Sequence, residues 1–387
     1  MDFGLSEEQE AFRRSVAEFA RKELQKGEGE AAAVRRREKS GELYREGWDK
    51  CAAFGIMALP VPEAHGGLGR DIVDATIAMQ TLGRHCLDAG LLFSISSHVF
   101  TCEIPLLLFG SDAQKERYLP RMVRGEIIGC HAMTEPGAGS DAFSISTTAE
   151  KRGDRWVLRG SKTFTSNAPV ADLFLVFATT DKRRGWAGVS GFLVERGTKG
   201  LSVGQPLEKM GLKTSPTGEV TLEEVEIPLE NVLGRVGQGS AIFNAEMEWE
   251  RSCLFAIHLG AMQRQLDTCV AYAKDRAQFG KPIGSFQAVA HKIADMRLRI
   301  ELAELALYKV AWLKANKKRA QMESAIAKLY VSEAFVQNSL DAVQIHGGYG
   351  YMTEYDVERD LRDAIGGKLY SGTSEIQRNI IASLLGL

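Results

Sequence analysis

The stretch "GEVTLEEVEIPLENVLGRVGQGSAIFNAEMEWERSCLFAIHLGA" (218–261) contains the change of pattern that decides the fold. Its first part, "GEVTLEEVEIP" (218–228), is a β-type run that ends in a proline. From Ala241 onward the apolar residues follow the spacing of a long helix. The chain therefore passes at this point from a β-rich segment into a helical one.

The pattern on either side of this stretch extends the same division. Further β-type runs precede it: "RWVLRGSKTFT" (155–165), "DLFLVFATT" (172–180) and "GVSGFLVERG" (188–197). Residues 5–125 have helical periodicity, and long helical patterns return at 241–274, 285–314 and 320–345 with lengths that suit an antiparallel bundle. The sequence thus predicts an α+β protein with a helical domain (1–128), a small β-domain (129–238) and a helical bundle domain (239–387).

Composition limits the classes of function. The 387 residues exceed a single-core domain and predict two or three structural units. A net charge of −2, from 48 basic and 50 acidic residues, argues against a nucleic-acid or anionic-membrane partner. The six cysteines form no C-x-x-C pair, so we expect reduced thiols and no metal site.

Two segments bear on the location of the protein. The N-terminal "MDFGLSEEQEAFRRSVAEFARKEL" (1–24) is an acidic amphipathic helix opened by a capping box of Ser6 and Gln9, unlike a signal or transit peptide. We therefore expect a cytoplasmic protein. The segment "AGLLFSISSHVFTCEIPLLLFG" (89–110) is interrupted by polar residues and a proline, and predicts a buried helix pair and no membrane span.

A glycine-rich segment, "CHAMTEPGAGSD" (130–141), is the first candidate binding loop. Glycines let backbone N–H groups approach a flavin or a phosphate closely, although a plain structural turn explains the segment equally well. The spacing is not that of a Rossmann dinucleotide loop. Four other segments stand out along the chain: "KTFTSNA" (162–168), "RAQFGKPIGSFQ" (276–287), "QIHGGYGYMTEYDVERDLRDA" (344–364) and "YSGTSEIQRN" (370–379).

In order and spacing these segments resemble the acyl-CoA dehydrogenase family over essentially the whole chain. The resemblance implies an N-terminal all-α domain, a central β-barrel or sandwich and a C-terminal four-helix bundle. It further implies bound FAD, a homotetramer, an acyl thioester substrate, and electron transfer to a separate acceptor such as an electron-transfer flavoprotein.

The family's binding residues can be placed on this chain position by position. Contacts to the flavin are implied for Met133, Thr134, Gly139, Ser140, Phe164, Thr165 and Ser166. Contacts to the FAD of a neighbouring subunit are implied for Arg276, Phe279, Gln287, Gln344, Gly347 and Gly348. Thr373 and Glu375 are implied to lie at the pyrophosphate and adenosine side, and Ser140, Arg251 and Tyr370 are implied to contact substrate.

The catalytic base requires a choice between two positions. The family commonly has a glutamate just before Gly-Thr, but Ser371 stands there in this chain, and a serine hydroxyl is too weak a base. The isovaleryl-CoA and long-chain branches instead use a glutamate directly before an arginine, which here is Glu250 before Arg251. The resemblance thus implies Glu250 as the base, with the backbone N–H of Ser371 as an oxyanion donor.

Other interpretations of these residues remain open on sequence alone. Glu250 could belong to a solvated helix start together with Glu246 and Glu248, although only Glu246 shares its i, i+4 face. His131 and His346 have no acidic partner at a triad spacing, which indicates packing or hydrogen-bonding roles. The basic runs 181–186 and 315–320 are solvated faces or docking sites for an acidic carrier protein.

The function expected from the resemblance is α,β-dehydrogenation of an acyl thioester, with Glu250 taking the α-proton and flavin N5 the β-hydride. The thioester is carried either by coenzyme A or by a carrier protein, because both present the same pantetheine arm. "MEWER" (247–251) with "YSGTSEIQ" (370–377) also resembles members that oxidise aminoacyl groups on peptidyl carrier proteins. A flavin monooxygenase on the same fold and a non-catalytic thioester-binding protein are the alternatives.

Overall fold

The computed structural model describes residues 4–25 and 27–387, apart from the side chain of residue 28. The helices in this part of the chain are α1 (Glu7–Phe19), α2 (Glu30–Ser40), α3 (Arg45–Phe54), α4 (Ile72–His85), α5 (Ala89–His98), α6 (Ile104–Phe109), α7 (Asp112–Val123), α8 (Gly239–Asp275), α9 (Gln287–Ala315), α10 (Gln321–His346), α11 (Val357–Gly367) and α12 (Ser374–Leu384). The strands are β1 (Gly129–Ala132), β2 (Thr148–Arg152), β3 (Arg155–Ser166), β4 (Leu173–Thr179), β5 (Val189–Glu195), β6 (Leu201–Val203), β7 (Thr217–Pro228), β8 (Val232–Leu233), β9 (Ala277–Gln278) and β10 (Lys281–Pro282). The order α, β, α confirms the predicted α+β fold.

The first helix begins where the sequence predicts it. The Ser6 side chain accepts a hydrogen bond from the Gln9 N–H, and the Gln9 side chain accepts one from the Ser6 N–H. This is the reciprocal capping box, which satisfies two backbone donors that would otherwise lack partners.

Residues Ala89–Phe109 form one helical path, in which a π-helical turn (Val99–Glu103) joins α5 to α6. Length and apolar composition would allow this segment to cross a membrane, but 83% of its 18-residue apolar window is buried inside the protein, as in a core helix. The predicted buried helix pair corresponds to α5 and α6, which the π-helical turn joins into one path. The polar residues that interrupt the apolar pattern, His98 and Glu103, contact each other at 2.9 Å in the interior, so they do not break the helix.

The middle segment is an eight-stranded sheet in the order β6-β7-β3-β2-β4-β5-β8, with β1 parallel to β4. Successive residues of β4 point to opposite faces, and each face carries its own buried apolar cluster. Phe174 and Val176 belong to one cluster, whereas Leu175 and Phe177 belong to the other. Because both faces are covered, the central strands are rigid supports for the loops that follow β1 and β3.

The long helices α8, α9 and α10 pack together, and α11 and α12 lie against α10. The N-terminal helix α4 also packs along α8, at a crossing that contains Gly83 and Gly260. A Cβ atom at Gly83 would lie 2.2 Å from the Ile257 carbonyl oxygen, and one at Gly260 would lie 2.0 Å from the Gln80 oxygen. Residues from both ends of the chain therefore share one continuous core, which also contains buried, free cysteines.

Candidate active site

Helix α8 carries the candidate base into the interior. Glu246 is fully buried and Glu250 is 8% exposed, whereas Glu248 on another face pairs with Lys314 near the surface. The i, i+4 spacing of the two buried carboxylates places them one above the other on the same side of the helix. The alternative that Glu250 belongs to a solvated helix start is therefore wrong.

The loop before α12 brings the two candidate base positions into contact. The Ser371 hydroxyl donates a hydrogen bond to Glu250 Oε1 at 2.9 Å. The Arg251 Nε and Gln377 Nε2 groups both donate to the Ser371 carbonyl, at 3.1 and 3.0 Å, and hold the loop. Ser371 itself has a φ of +55°, a left-handed backbone conformation. The serine at one position thus directly contacts the glutamate at the other.

This conformation leaves one backbone donor available. Within residues 4–25 and 27–387, no hydrogen bond is found for the Ser371 N–H. A free N–H beside a buried carboxylate suits a thioester carbonyl, which gains negative charge as the α-proton leaves. The geometry is therefore compatible with the expected oxyanion role of Ser371.

The electrostatic setting of Glu250 suits a base. Burial raises the pKa of Glu250, and this outweighs His131, the Ser371 hydrogen bond, Arg251 and Lys328, which all lower it. Its second oxygen, Oε2, is buried and has no hydrogen-bond partner among the described residues. A carboxylate with a raised pKa and one free oxygen can accept a proton from a bound molecule.

His131, at the end of β1, has an acidic partner that sequence spacing did not reveal. Its Nε2 lies 2.6 Å from Glu246 Oε1. Burial raises the pKa of Glu246 to about 7, although His131 opposes this shift. Burial lowers the pKa of His131, but the Glu246 carboxylate overcomes this effect, so the pKa of the imidazole is raised. Glu246 is thus an acidic neighbour of His131 that no triad spacing would reveal.

Tyr370 precedes Ser371 in the loop and forms an uncharged pair with His258. Its hydroxyl is 2.7 Å from His258 Nε2. Burial, followed by the nearby Lys328 ammonium, lowers the pKa of His258 to about 3. Burial raises the pKa of Tyr370 well above its ordinary value. Both groups are consequently uncharged at neutral pH, so Tyr370 offers a hydroxyl and an aromatic surface rather than a charge.

The two candidate flavin loops lie side by side at the ends of β1 and β3. The Thr163 N–H donates to the Thr134 carbonyl at 2.9 Å. Phe164 is 69% exposed with a φ of +52°, and the buried Thr165 Oγ1 has no partner among the described residues. An exposed aromatic ring beside an unpaired hydroxyl fits a bound flat heterocycle with polar edges. Met133 is buried, Ser166 is half-buried, and Gly139 and Ser140 are exposed on the first loop.

A buried ion pair that the sequence analysis missed joins these loops. Lys162 Nζ donates to Glu135 Oε1 at 2.8 Å and to the Met133 carbonyl at 3.0 Å. Glu135 also accepts hydrogen bonds from Ser146 and Thr147. Although burial opposes it, this set of donors lowers the pKa of Glu135 to about 2, while burial lowers the pKa of Lys162 to about 8. Lys162 and Glu135 lie 27 residues apart, and no spacing rule connects them.

The candidate contacts to a neighbouring subunit form a second group. Arg276, Gly347 and Gly348 line a groove of about 490 Å³. The Arg276 guanidinium lies 5.6 Å from the centre of the Tyr349 ring. Phe279 is 93% exposed at the tip of the β9–β10 hairpin. Gln287 and Gln344 are also exposed.

Two further predicted binding residues lie at the start of α12, and His346 lies at the end of α10. Thr373 caps α12 by accepting a hydrogen bond from the Ile376 N–H at 3.3 Å, and Glu375 is exposed in the first turn of that helix. His346 stacks on Tyr272 with ring centres 4.2 Å apart, which agrees with the expected packing role.

Comparison with known proteins identifies the family. Three family models match the chain: the acyl-CoA dehydrogenase N-terminal domain at residues 6–126, the middle domain at 130–225 and the C-terminal domain at 237–386. The chain belongs to the acyl-CoA dehydrogenase family. It is accordingly an FAD-dependent oxidoreductase. The comparisons give no support to a flavin monooxygenase.

Curated relatives include enzymes of both thioester classes. An L-prolyl-[peptidyl-carrier protein] dehydrogenase of Pseudomonas fluorescens is 40% identical over 388 residues and covers 100% of both chains. An acyl-CoA dehydrogenase of Bacillus subtilis is 40% identical over 98% of both chains. The caffeyl-CoA reductase-Etf complex subunit CarC of Acetobacterium woodii is 39% identical, also over 98% of both chains.

Solved structures agree closely with this fold. The prolyl acyl carrier protein oxidase AnaB is 46% identical with a TM-score of 0.96, over 99% of this chain and 100% of that one. The FAD complex of PigA is 40% identical with a TM-score of 0.96 over the whole of both chains. These relatives and structures therefore match the chain from end to end.

Proposed function

We propose that this enzyme dehydrogenates an aminoacyl group, with L-prolyl as the first candidate, held as a thioester on a carrier protein. The observation that carries the chemical part of this proposal is Glu250, which is buried, has one free oxygen and is held by Ser371 at 2.9 Å. The choice of substrate is supported by the prolyl-carrier enzymes among its relatives. The general acyl-CoA reaction is the second candidate, supported by the acyl-CoA dehydrogenase of Bacillus subtilis.

Two groups of this chain act directly on the thioester. Glu250 Oε2 takes the α-proton, and the Ser371 N–H donates to the carbonyl oxygen, on which negative charge develops. The bound FAD supplies the hydride acceptor for the β-carbon. One proton and one hydride thus leave the substrate, and a Cα–Cβ double bond forms. Arg251 and Gln377 keep the Ser371 N–H in place, because both bind the carbonyl of that residue.

The cofactor is held, in this proposal, by the loops after β1 and β3, with Thr165 Oγ1 as a hydrogen-bond donor. The Lys162–Glu135 pair sets the separation of these loops. Arg276 and Phe279 are proposed to contact the FAD of a neighbouring subunit in a homotetramer. This is supported by their exposure, since neither side chain serves the core of its own chain.

The substrate's other contacts and partners are also proposals. Ser140 is exposed on the first loop, where it can meet the pantetheine arm, and Tyr370 presents its ring beside Ser371. An acidic carrier protein would meet the basic run 181–186, in which Arg183 is 91% exposed. A separate flavoprotein acceptor is supported by the Etf complex named for the Acetobacterium relative. We propose a cytoplasmic location.

The deciding experiment is anaerobic mixing of the FAD-loaded protein with a set of thioesters while flavin absorbance is followed. The set comprises L-prolyl carrier protein, butyryl carrier protein and butyryl-CoA. Fast bleaching with the prolyl carrier protein alone supports the proposal. Bleaching by butyryl-CoA at a higher kcat/KM than the prolyl substrate would establish the second candidate instead, and binding without bleaching would indicate a non-catalytic protein.

A further inference from the structure

Helix α8 buries two carboxylates on the side that faces β1, whereas the proposed reaction uses one of them. Glu246 has no exposed surface, Glu250 is 8% exposed, and the His131 side chain is 14% exposed. The 2.6 Å contact between His131 and Glu246 lacks the alignment of a hydrogen bond. Both oxygens of Glu246 and Oε2 of Glu250 consequently have no hydrogen-bond partner among the described residues. Buried polar atoms without partners require an explanation.

A purely structural role does not explain Glu246. Two carboxylates one helical turn apart repel each other, and burial of both costs free energy unless donors surround them. Among the described residues the His131 imidazole lies close to Glu246, and the Ser371 hydroxyl donates to Glu250. The described residues contain no group of three or more His, Cys, Asp and Glu side chains able to hold a metal ion. The unmatched oxygens therefore suit a ligand that brings its own N–H donors and positive charge.

The position of Glu246 indicates which part of the substrate it would meet. Glu250 is the group proposed to reach the substrate α-carbon, and Cβ atoms at i and i+4 are about 5–6 Å apart on a helix. In an aminoacyl thioester the basic nitrogen is bonded directly to that α-carbon. His131 lies two residues before Met133, so the strand that contacts Glu246 leads into the first flavin loop.

We propose that Glu246 is the specificity-determining residue that binds the basic α-nitrogen of the aminoacyl thioester. An ammonium or secondary amine donates to Glu246 Oε2, while Glu250 faces the α-proton. A simple acyl group places a methylene there and leaves the buried carboxylate unsatisfied, so the site rejects it. This inference rests on the proposed function and specifies how that site selects its substrate.

The test compares two substrates that differ in one atom: L-prolyl and cyclopentanecarbonyl thioesters on the same carrier protein. The FAD-loaded parent, Glu246→Gln and Glu248→Gln are mixed anaerobically with each, and kcat/KM for flavin reduction is measured. Glu248 is the matched control, since it lies on the same helix turn but pairs with Lys314. We expect Glu246→Gln to lower the ratio of prolyl to cyclopentanecarbonyl kcat/KM by at least about tenfold, the effect of losing a charged hydrogen-bond partner. Glu248→Gln should keep the parent ratio.

The outcomes separate the inference from the function on which it rests. If the parent favours prolyl and Glu246→Gln keeps the parent ratio, the role of Glu246 is refuted while the proposed function stands. An equal fall with both substrates would instead assign Glu246 to general proton transfer or to structure. A parent that reduces its flavin only with simple acyl groups refutes both. If Glu246→Gln does not fold, Glu246→Met, of similar length, is assayed in the same way.

Discussion

The base assignment makes the most direct prediction, which concerns Glu250→Gln. Glutamine keeps the size of the side chain, and its amide oxygen can still accept the Ser371 hydroxyl hydrogen bond that measures 2.9 Å in the parent. The amide cannot take a proton. Because general bases contribute about 10²–10⁴-fold, we expect the rate of flavin reduction to fall at least about 10²-fold. This corresponds to about 2.7 kcal/mol or more of added barrier.

The structure also indicates what the substitution should leave intact. Arg251 and Gln377 still hold the Ser371 carbonyl, so the oxyanion donor keeps its position and the thioester should bind with unchanged affinity. The new amide NH₂ group replaces Oε2, which has no partner in the parent, and an unpaired buried donor costs about 1–3 kcal/mol of folding free energy. Removal of a buried charge offsets part of that cost. FAD content and a melting curve verify that the variant is folded.

The assay is anaerobic stopped-flow reduction with a saturating thioester that the parent is shown to use. Glu248→Gln is the control and should react at the parent rate. Adding Ser371→Glu to Glu250→Gln should recover part of the activity, because the Ser371 hydroxyl already contacts the parent carboxylate and a carboxylate from that position can reach the same α-proton. Flavin reduction by Glu250→Gln at the parent rate would refute the assignment.

Three further predictions concern stability and cofactor retention. The raised pKa values of Glu246 and His131 mean that the folded state holds protons more tightly than the unfolded state. The melting temperature should therefore fall as pH rises from about 4.5 through about 7, and Glu246→Gln should flatten that part of the profile. If the substitution leaves the profile unchanged, the pairing is contradicted. Lys162→Met leaves a buried carboxylate without its cation and should cost about 3–5 kcal/mol in denaturant unfolding, whereas the exposed Arg183→Ala should leave the unfolding midpoint unchanged. Arg276→Ala should lose FAD on dialysis while its thioester affinity is retained, and full FAD retention would exclude a cofactor contact at this residue.

The sequence predicted the elements of the fold well because their patterns are local. The short apolar run at 172–180 and the helical spacing over 241–274 each need only neighbouring residues, and β4 and α8 form close to these bounds. The Glu250–Ser371 pair was foreseen only because a family resemblance linked the two positions. Their contact stays consistent with the base hypothesis, which the assays above would test.

What the sequence did not predict depends on contacts between distant residues. His131 and Glu246 lie on different elements, and no spacing rule connects them. The burial of Lys328 was not predicted either. Its Nζ has no hydrogen-bond partner among the described residues, and burial is the main cause that lowers its pKa to about 8. The segment 89–109 differs in that the buried partner of Glu103 is His98, five residues earlier on the same helical path.

The core shared by the two helical segments has a consequence for how the protein is made. Leu82 and Ile95 leave the ribosome long before Leu254 and Phe335, against which the same core is packed. The 225 residues from Ser111 to Phe335 take roughly 11–45 s to synthesise at about 5–20 residues per second. During that interval the nascent N-terminal helices expose an apolar surface that only later sequence can cover. The shared core can therefore be completed only after α10 has left the ribosome.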